Sequence, residues 1–187
     1  MAKVYEFLAT GFEDIEALIP LDIMRRAGVD FKTVSVTGEL VVESAHGVGI
    51  KADMLIEDAD FSDADLIMLP GGLPGATNLN SHNGVKKAVI EQNARGKMIG
   101  AICAAPMVLG GLGLLEGRRA TCYPGFEKYL EGAEYTHELC TVDGNITTGE
   151  GPAASLPYAY TLLAALTDKH TADQIAEGMM YKHLMLK

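Results

Sequence analysis

The stretch Lys97-Met98-Ile99-Gly100-Ala101-Ile102-Cys103-Ala104-Ala105-Pro106 decides how the chain is read. Its first six residues form a short apolar run of the kind a fully buried strand uses. Pro106 suits the first turn of a helix, where its missing N–H costs nothing. Cys103 therefore stands at a strand-to-helix turn. That position predicts a strained backbone, an exposed side chain, and helix N-terminal N–H groups close enough to favour a thiolate. A lone free cysteine is most often a small buried hydrophobe. Here Ala101, Ala104 and Ala105 are all small, as a crowded turn demands, and the context points to a reactive thiol.

Working outward in both directions, strand-like and helix-like segments alternate, the pattern of a mostly parallel sheet covered on both faces. Towards the N-terminus the reading is a strand at Val4 to Ala9, a helix at Glu13 to Ala27 closed by Gly28, and a strand at Phe31 to Val36. An antiparallel excursion follows through Leu40 to Glu43 and Val48 to Ala52. Asp65 to Leu69 is a buried strand stopped by Pro70-Gly71-Gly72, and Val85 to Arg95 is helical. Beyond Cys103 the expected elements are a helix at Pro106 to Leu115, a strand at Arg119 to Cys122 and a short helix at Phe126 to Leu130. Asp143-Gly144-Asn145 signals a hairpin turn between Glu138 to Val142 and Ile146 to Thr148. Helices at Ala153 to Leu166 and Thr171 to Met180 complete one expected α/β domain over residues 1–187.

In sheets of this class ligands collect at the carboxyl ends of the strands. Three loops should meet there: Thr10 to Glu13, Pro70 to Gly72, and the Cys103 turn. The glycines Gly71 and Gly72 let backbone approach closely, and the N–H groups of Gly72 and Ala104 could form an oxyanion hole. A tight turn without chemistry is the plainer account. Pro70-Gly71-Gly72-Leu73-Pro74-Gly75 does not match the dinucleotide pattern G-x-G-x-x-G.

A net charge of −10 with no offsetting Lys/Arg cluster disfavours nucleic acid. No apolar run approaches a membrane span. Three cysteines without C-x-x-C spacing suggest neither a disulfide framework nor a zinc site, and five scattered histidines give a metal site little support. Neither a cofactor nor a metal is expected. The N-terminus passes straight into a strand pattern with no signal-peptide features, so the expected compartment is the reducing cytoplasm.

One carboxylate sits on the wrong face. Phe12, Glu16, Ile19, Ile23 and Ala27 share one stripe of the first helix, apolar except at Glu16. Glu13 and Asp14 are explained by the helix dipole, which stabilises acids in a first turn. Glu16 either reaches water at the stripe's edge or is buried, and burial would raise its pKa. A second anion about 4 Å away would add on the order of 4 kcal/mol of repulsion at an effective dielectric of ~20, roughly three pKa units. If Glu16 meets Cys103, the expected resting pair is a protonated carboxyl donating to a thiolate. Pro20 should kink the helix.

Taken together, Glu13-Asp14-Ile15-Glu16, Ile19-Pro20-Leu21-Asp22, Met24-Arg25-Arg26-Ala27-Gly28, Leu69-Pro70-Gly71-Gly72, Ala101-Ile102-Cys103-Ala104-Ala105-Pro106 and Gly151-Pro152 resemble the ThiJ/PfpI superfamily. Within it they are most similar to the branch of the parkinsonism-associated protein deglycase. The resemblance covers nearly the whole chain. It implies a flavodoxin-like three-layer sandwich similar to class I glutamine amidotransferases, and a homodimer formed partly through the first helix. It also implies that Cys103 is an oxidisable nucleophile, Glu16 its protonated partner, and Gly72 and Ala104 the backbone donors around the sulfur.

Four positions depart from the family pattern. Tyr123 replaces a histidine found near the cysteine in some relatives, which counts against a Cys-His dyad. Ala104 replaces the histidine of the protease-like branch. His46 and Glu150 stand where arginine, or at Glu150 arginine or glutamine, is usual, so the pocket should be less welcoming to anions. Gly71, Tyr123, His46 and Glu150 complete the expected pocket.

The function implied is cysteine-dependent chemistry on small 2-oxoaldehydes or glycated proteins. A sensor or chaperone regulated by Cys103 oxidation is the alternative, and an intracellular protease or amidase a weaker one. Lowering a thiol pKa from ~8.5 to ~6 raises the anion at neutral pH roughly thirtyfold, but lower basicity takes back about tenfold in nucleophilicity. Turnover must therefore come from Glu16 and the oxyanion donors.

Overall fold

The computed structural model describes residues 1–185. In chain order the elements are β1 (Lys3–Leu8), α1 (Asp14–Arg26), β2 (Asp30–Ser35), β3 (Val41–Glu43), β4 (Gly49–Lys51), β5 (Met54–Leu55), β6 (Leu66–Leu69), α2 (Gly75–Ser81) and α3 (Asn83–Ala94). They continue with β7 (Met98–Ile102), α4 (Pro106–Gly111), β8 (Arg119–Ala120), β9 (Glu134–Tyr135), β10 (Cys140–Asp143), β11 (Ile146–Gly149), α5 (Ser155–Leu166), α6 (Lys169–Gly178) and α7 (Tyr181–Met185).

Seven strands form the central sheet in the order β10-β11-β7-β6-β1-β2-β5. Every pairing is parallel except β10 with β11. Helix α5 packs with both α1 and α6, and α2 packs with both α3 and α4, giving an α/β three-layer architecture. All four residues of β6 are buried, because a parallel strand covered on both faces meets no water. In β1 the same burial encloses an acid, Glu6, which is fully buried.

The β3–β4 hairpin is antiparallel and forms its own small sheet. The β10–β11 turn falls at Gly144-Asn145, between paired Asp143 and Ile146, with Gly144 at φ +59° in the left-handed region. Helix α1 runs unbroken through the buried Pro20. Its pyrrolidine nitrogen cannot donate to the carbonyl four residues earlier, which belongs to Glu16.

Several expected elements are shorter. The helix after Cys103 stops at Gly111 rather than Leu115, since two glycines and then Gly113 at φ +69° end it. The strand expected to reach Cys122 ends at Ala120, and Phe126 to Leu130 contains only a single 3₁₀ turn. Helix α2 and the edge strand β5 were not expected from the sequence.

Candidate active site

Residue 103 carries φ +63°, a left-handed conformation that a side chain rarely adopts. Two backbone hydrogen bonds hold it there. The Cys103 N–H donates to the Gly149 carbonyl at 2.9 Å, and the Tyr123 N–H donates to the Cys103 carbonyl at 2.8 Å. The turn is strained as the strand-to-helix junction predicts, but the side chain is not exposed: Cys103 is only 8% accessible. The Gly72 loop and the Tyr123 segment close over it, and neither is adjacent to it in sequence.

The three loops converge through their backbones. The Glu13 N–H donates to the Gly71 carbonyl at 3.1 Å, and the Gly75 N–H to the Gly11 carbonyl at 3.1 Å. Gly71 is where the loop comes up against both Cys103 and Glu16. A Cβ built there would lie 2.8 Å from Cys103 Cβ, 2.8 Å from Glu16 Oε2 and 2.9 Å from the Ile102 carbonyl.

Glu16 is completely buried in the first turn of α1. Its Oε2 accepts the Gly71 N–H at 2.8 Å, and its side chain meets that of Cys103. Among the described residues Oε1 makes no well-formed hydrogen bond. Burial, reinforced by the Glu13 charge, raises the Glu16 pKa from 4.5 to about 7, against the opposing hydrogen bonds from Cys103 and Gly71. Burial also pushes the Cys103 thiol up, and an ionised Glu16 pushes it further. The Gly72 and Ala104 N–H groups act in the other direction and favour the anion. The helix-end donors expected from the sequence are thus present, yet burial and the neighbouring carboxyl outweigh them. An independently acidic thiol is not what the site contains.

Cys103 opens onto a cavity of about 390 Å³ whose walls include Glu13, His46, Gly72, Tyr123 and Phe126. Gly71 and Glu16 lie beneath it. Glu150 does not line this cavity; it flanks Tyr123 in an adjoining depression of about 170 Å³. His46 stands at the exposed rim, its Nδ1 2.6 Å from Asp14 Oδ2, while Ser44 Oγ donates to Asp14 Oδ1 at 2.6 Å. Asp14 consequently raises the His46 pKa.

Glu13 has a larger part than the helix dipole suggests. Its Oε2 accepts the Glu16 N–H at 2.8 Å as the N-cap of α1, and its carboxylate also faces the cavity. Glu13, Asp14 and His46 bring ligand atoms within 4.8 Å of one another. Their oxygens and ring nitrogen already serve Glu16, Ser44 and one another, so the cluster is accounted for by protein contacts. All three cysteines are free.

Among the described residues no helix is long and apolar enough to cross a membrane. A family model described as the DJ-1/PfpI family matches residues 2–165. Protein DJ-1 homolog B of Arabidopsis thaliana is 39% identical over 96% of this chain, which spans only 42% of that protein's length. The Parkinson disease protein 7 homolog of Danio rerio is 36% identical over 94% of this chain and 95% of its own. A deglycase of Pyrococcus horikoshii is 30% identical over 81% of this chain and 91% of its own. A cysteine-to-alanine mutant of a DJ-1 superfamily protein from Salmonella typhimurium superposes with a TM-score of 0.92 at 35% identity, covering 96% of this chain and 98% of that one.

Proposed function

Because the chain belongs to the DJ-1/PfpI family, we propose that it is a cysteine-dependent enzyme acting on small 2-oxoaldehydes or the adducts they form with proteins. The observation that carries this reading is the placement of donors around two coupled acids. The N–H groups of Gly72 and Ala104 favour the ionised sulfur, whereas the carboxyl receives one N–H, at Oε2, and Oε1 receives none among the described residues. Two buried acids in contact cannot both ionise comfortably, so the pair gives up one proton near neutrality and shares the other. A carboxylate with an unsolvated oxygen is costly, whereas a carboxyl protonated at Oε1 donates to the sulfur and leaves the charge where two N–H groups await it. With the proton on Glu16, the charge repulsion that raises the Cys103 thiol disappears, and the hydrogen bond between the two side chains acts in the opposite direction.

From that state the chemistry follows in balanced steps. The thiolate adds to the aldehyde carbon, and the alkoxide formed takes the Glu16 proton to give a hemithioacetal. Glu16, now a carboxylate, removes the proton from that carbon and returns it to the neighbouring one, converting the 2-oxo adduct into a 2-hydroxy thioester. Water cleaves the thioester, releasing the 2-hydroxy acid and the thiol. The cavity walls present Glu13, aromatic rings and no lysine or arginine, which suits an uncharged or cationic substrate better than an anion. The name of the Pyrococcus horikoshii relative points the same way.

Purified protein is expected to convert methylglyoxal to lactate well above a Cys103→Ser background. Equal rates in the two would remove the enzymatic reading. The same sulfur, cradled by the same donors, also suits a sulfinate, which favours an oxidation sensor as a second reading. Peroxide should then oxidise Cys103 selectively over Cys122 and Cys140, as mapped by mass spectrometry; indiscriminate oxidation counts against it.

A further inference from the structure

Isomerising the adduct moves two protons, and Glu16 accounts for one of them. The hydrogen on the first carbon reaches the second by way of the Glu16 carboxylate. The hydroxyl hydrogen on the first oxygen must end on the second oxygen, and while Glu16 holds the carbon's proton it cannot carry that one as well. The transfer calls for a second acid–base group on the cavity.

Among the residues lining the cavity, His46 is the one whose surroundings suit that task. Its Nδ1 lies 2.6 Å from Asp14 Oδ2, and Asp14 is itself fixed, because Oδ1 accepts the hydroxyl of the buried Ser44 at 2.6 Å. The same hydroxyl oxygen accepts the N–H groups of His46 at 3.2 Å and Val48 at 3.1 Å. The loop that carries them is fastened in turn: the Ala45 N–H donates to the Phe12 carbonyl at 2.8 Å, and the Ser44 N–H to the Val48 carbonyl at 2.9 Å. An isolated surface pair of histidine and aspartate would contribute little and needs no such support. A carboxylate held on Nδ1 sets the orientation and tautomer of an imidazole and leaves Nε2 as the free nitrogen.

The ring is also accessible from the cavity, its side chain being 68% exposed. Glu16 lies beneath the cavity and His46 at its rim, so an adduct on the Cys103 sulfur stands between the two. The charged groups that act on His46 are Asp14 and Glu13, both at the start of α1, and each favours the imidazolium. Its hairpin neighbours Ser44 and Val48 are neutral.

We propose that His46, oriented by Asp14 and Ser44, is a second catalytic acid–base residue that carries the oxygen-bound proton of the 2-oxoaldehyde adduct. The inference rests on the Cys103–Glu16 chemistry above. As imidazolium, His46 gives a proton to the 2-oxo oxygen while the Glu16 carboxylate removes the proton on the first carbon, leaving a neutral enediol. Neutral His46 then takes the proton from the first oxygen while Glu16 returns its own to the second carbon. The products are the 2-hydroxy thioester, the imidazolium and the carboxylate, so both groups are restored. Asp14 and Ser44 are positioning residues.

The test is methylglyoxal turnover in His46→Ala, His46→Arg and Asp14→Asn, beside the pH profile of Cys103 alkylation by iodoacetamide. His46→Ala should lower kcat about 10²-fold, and added imidazole should restore part of it, since the exposed rim admits the free base. Its alkylation profile should match that of the unaltered protein, because Glu16 and the Gly72 and Ala104 N–H groups set the ionisation of the sulfur. His46→Arg keeps a positive charge but cannot exchange a proton, and should be as slow as His46→Ala. Asp14→Asn should move the alkaline limb of the kcat profile to lower pH, because the charge that favours the imidazolium is gone. If the unaltered protein shows no turnover above Cys103→Ser, the enzymatic reading fails and takes this one with it. If turnover is present and His46→Ala keeps the wild-type kcat, the two oxygens exchange their proton without His46 and this proposal alone is overturned. Recovery in His46→Arg, or a loss in His46→Ala that imidazole does not relieve, would equally remove His46 from the proton path.

Discussion

Glu16→Gln is expected to lower methylglyoxal turnover by about 10²–10⁴-fold, the usual share of a general acid–base group. It should also erase the step near pH 7 in Cys103 alkylation, because glutamine keeps the shape of the side chain and its acceptor for the Gly71 N–H but cannot exchange a proton with the sulfur. The same substitution should change stability in a direction that pH reveals. A carboxyl whose folded pKa stands at about 7 rather than 4.5 binds more protons in the folded state than in the unfolded one between those values. Stability therefore falls as pH rises through that window. The 2.5-unit gap corresponds to about 3 kcal/mol of stability present at pH 4.5 and lost by pH 7 to 8. The variant should be the more stable protein at pH 8, with a flatter profile in urea unfolding between pH 5 and 8. Some slope will persist, since the buried Glu6 carboxyl is raised for the same reason and has the same sign. A variant that keeps both the wild-type alkylation profile and the wild-type pH slope would show that Glu16 is not the proton carrier.

That combination, a gain in stability and a loss of turnover, is what distinguishes a functional buried acid from a structural one. The sequence made Glu16 visible because it interrupts an apolar stripe at helical spacing, a pattern whose physical cost is independent of where the rest of the chain goes. Cys103 was visible for a related reason: an apolar strand, a run of small residues and a helix-starting proline define a turn from local information alone. Its burial was not visible, because the covering segments around Gly72 and Tyr123 come from 20 to 31 positions away. Glu13 was passed over because the helix dipole already explained an acid in the first turn. The burial of Glu6 left no local mark either, since a single acid in a short strand shows its surroundings only once the neighbouring strands and helices are in place. Helix α2 carries no comparable local mark, because Gly75, Thr77 and Asn78 are weak helix formers and so short a segment shows no apolar period.

Gly71→Ala should disable the site through geometry alone. The backbone at 71 is not in the left-handed region, so alanine brings no conformational penalty there, and whatever happens follows from one methyl group. That methyl would lie 2.8 Å from Cys103 Cβ, 2.8 Å from Glu16 Oε2 and 2.9 Å from the Ile102 carbonyl, inside the contact limit on three sides. None of the three yields easily. Cys103 is fastened at both backbone ends, to Gly149 and Tyr123. Glu16 is fully buried and bonded to the N–H of residue 71 itself, and Ile102 ends a central strand. The relief must come from prising the sulfur and the carboxyl apart. Overpacking of this kind costs about 1–3 kcal/mol, and a displacement on the order of 1 Å between reacting groups costs about 10²-fold in rate. Gly178→Ala supplies the contrast: nothing lies within 4 Å of the added carbon at the exposed last residue of α6, where alanine should be neutral or stabilise by roughly 0.5–1 kcal/mol. Measured side by side, kcat/KM for methylglyoxal and urea midpoints should fall together in the first variant and hold in the second. Wild-type turnover in a folded Gly71→Ala protein would mean that the chemistry does not depend on the spacing of sulfur and carboxyl, and the mechanism built on that spacing would have to be abandoned.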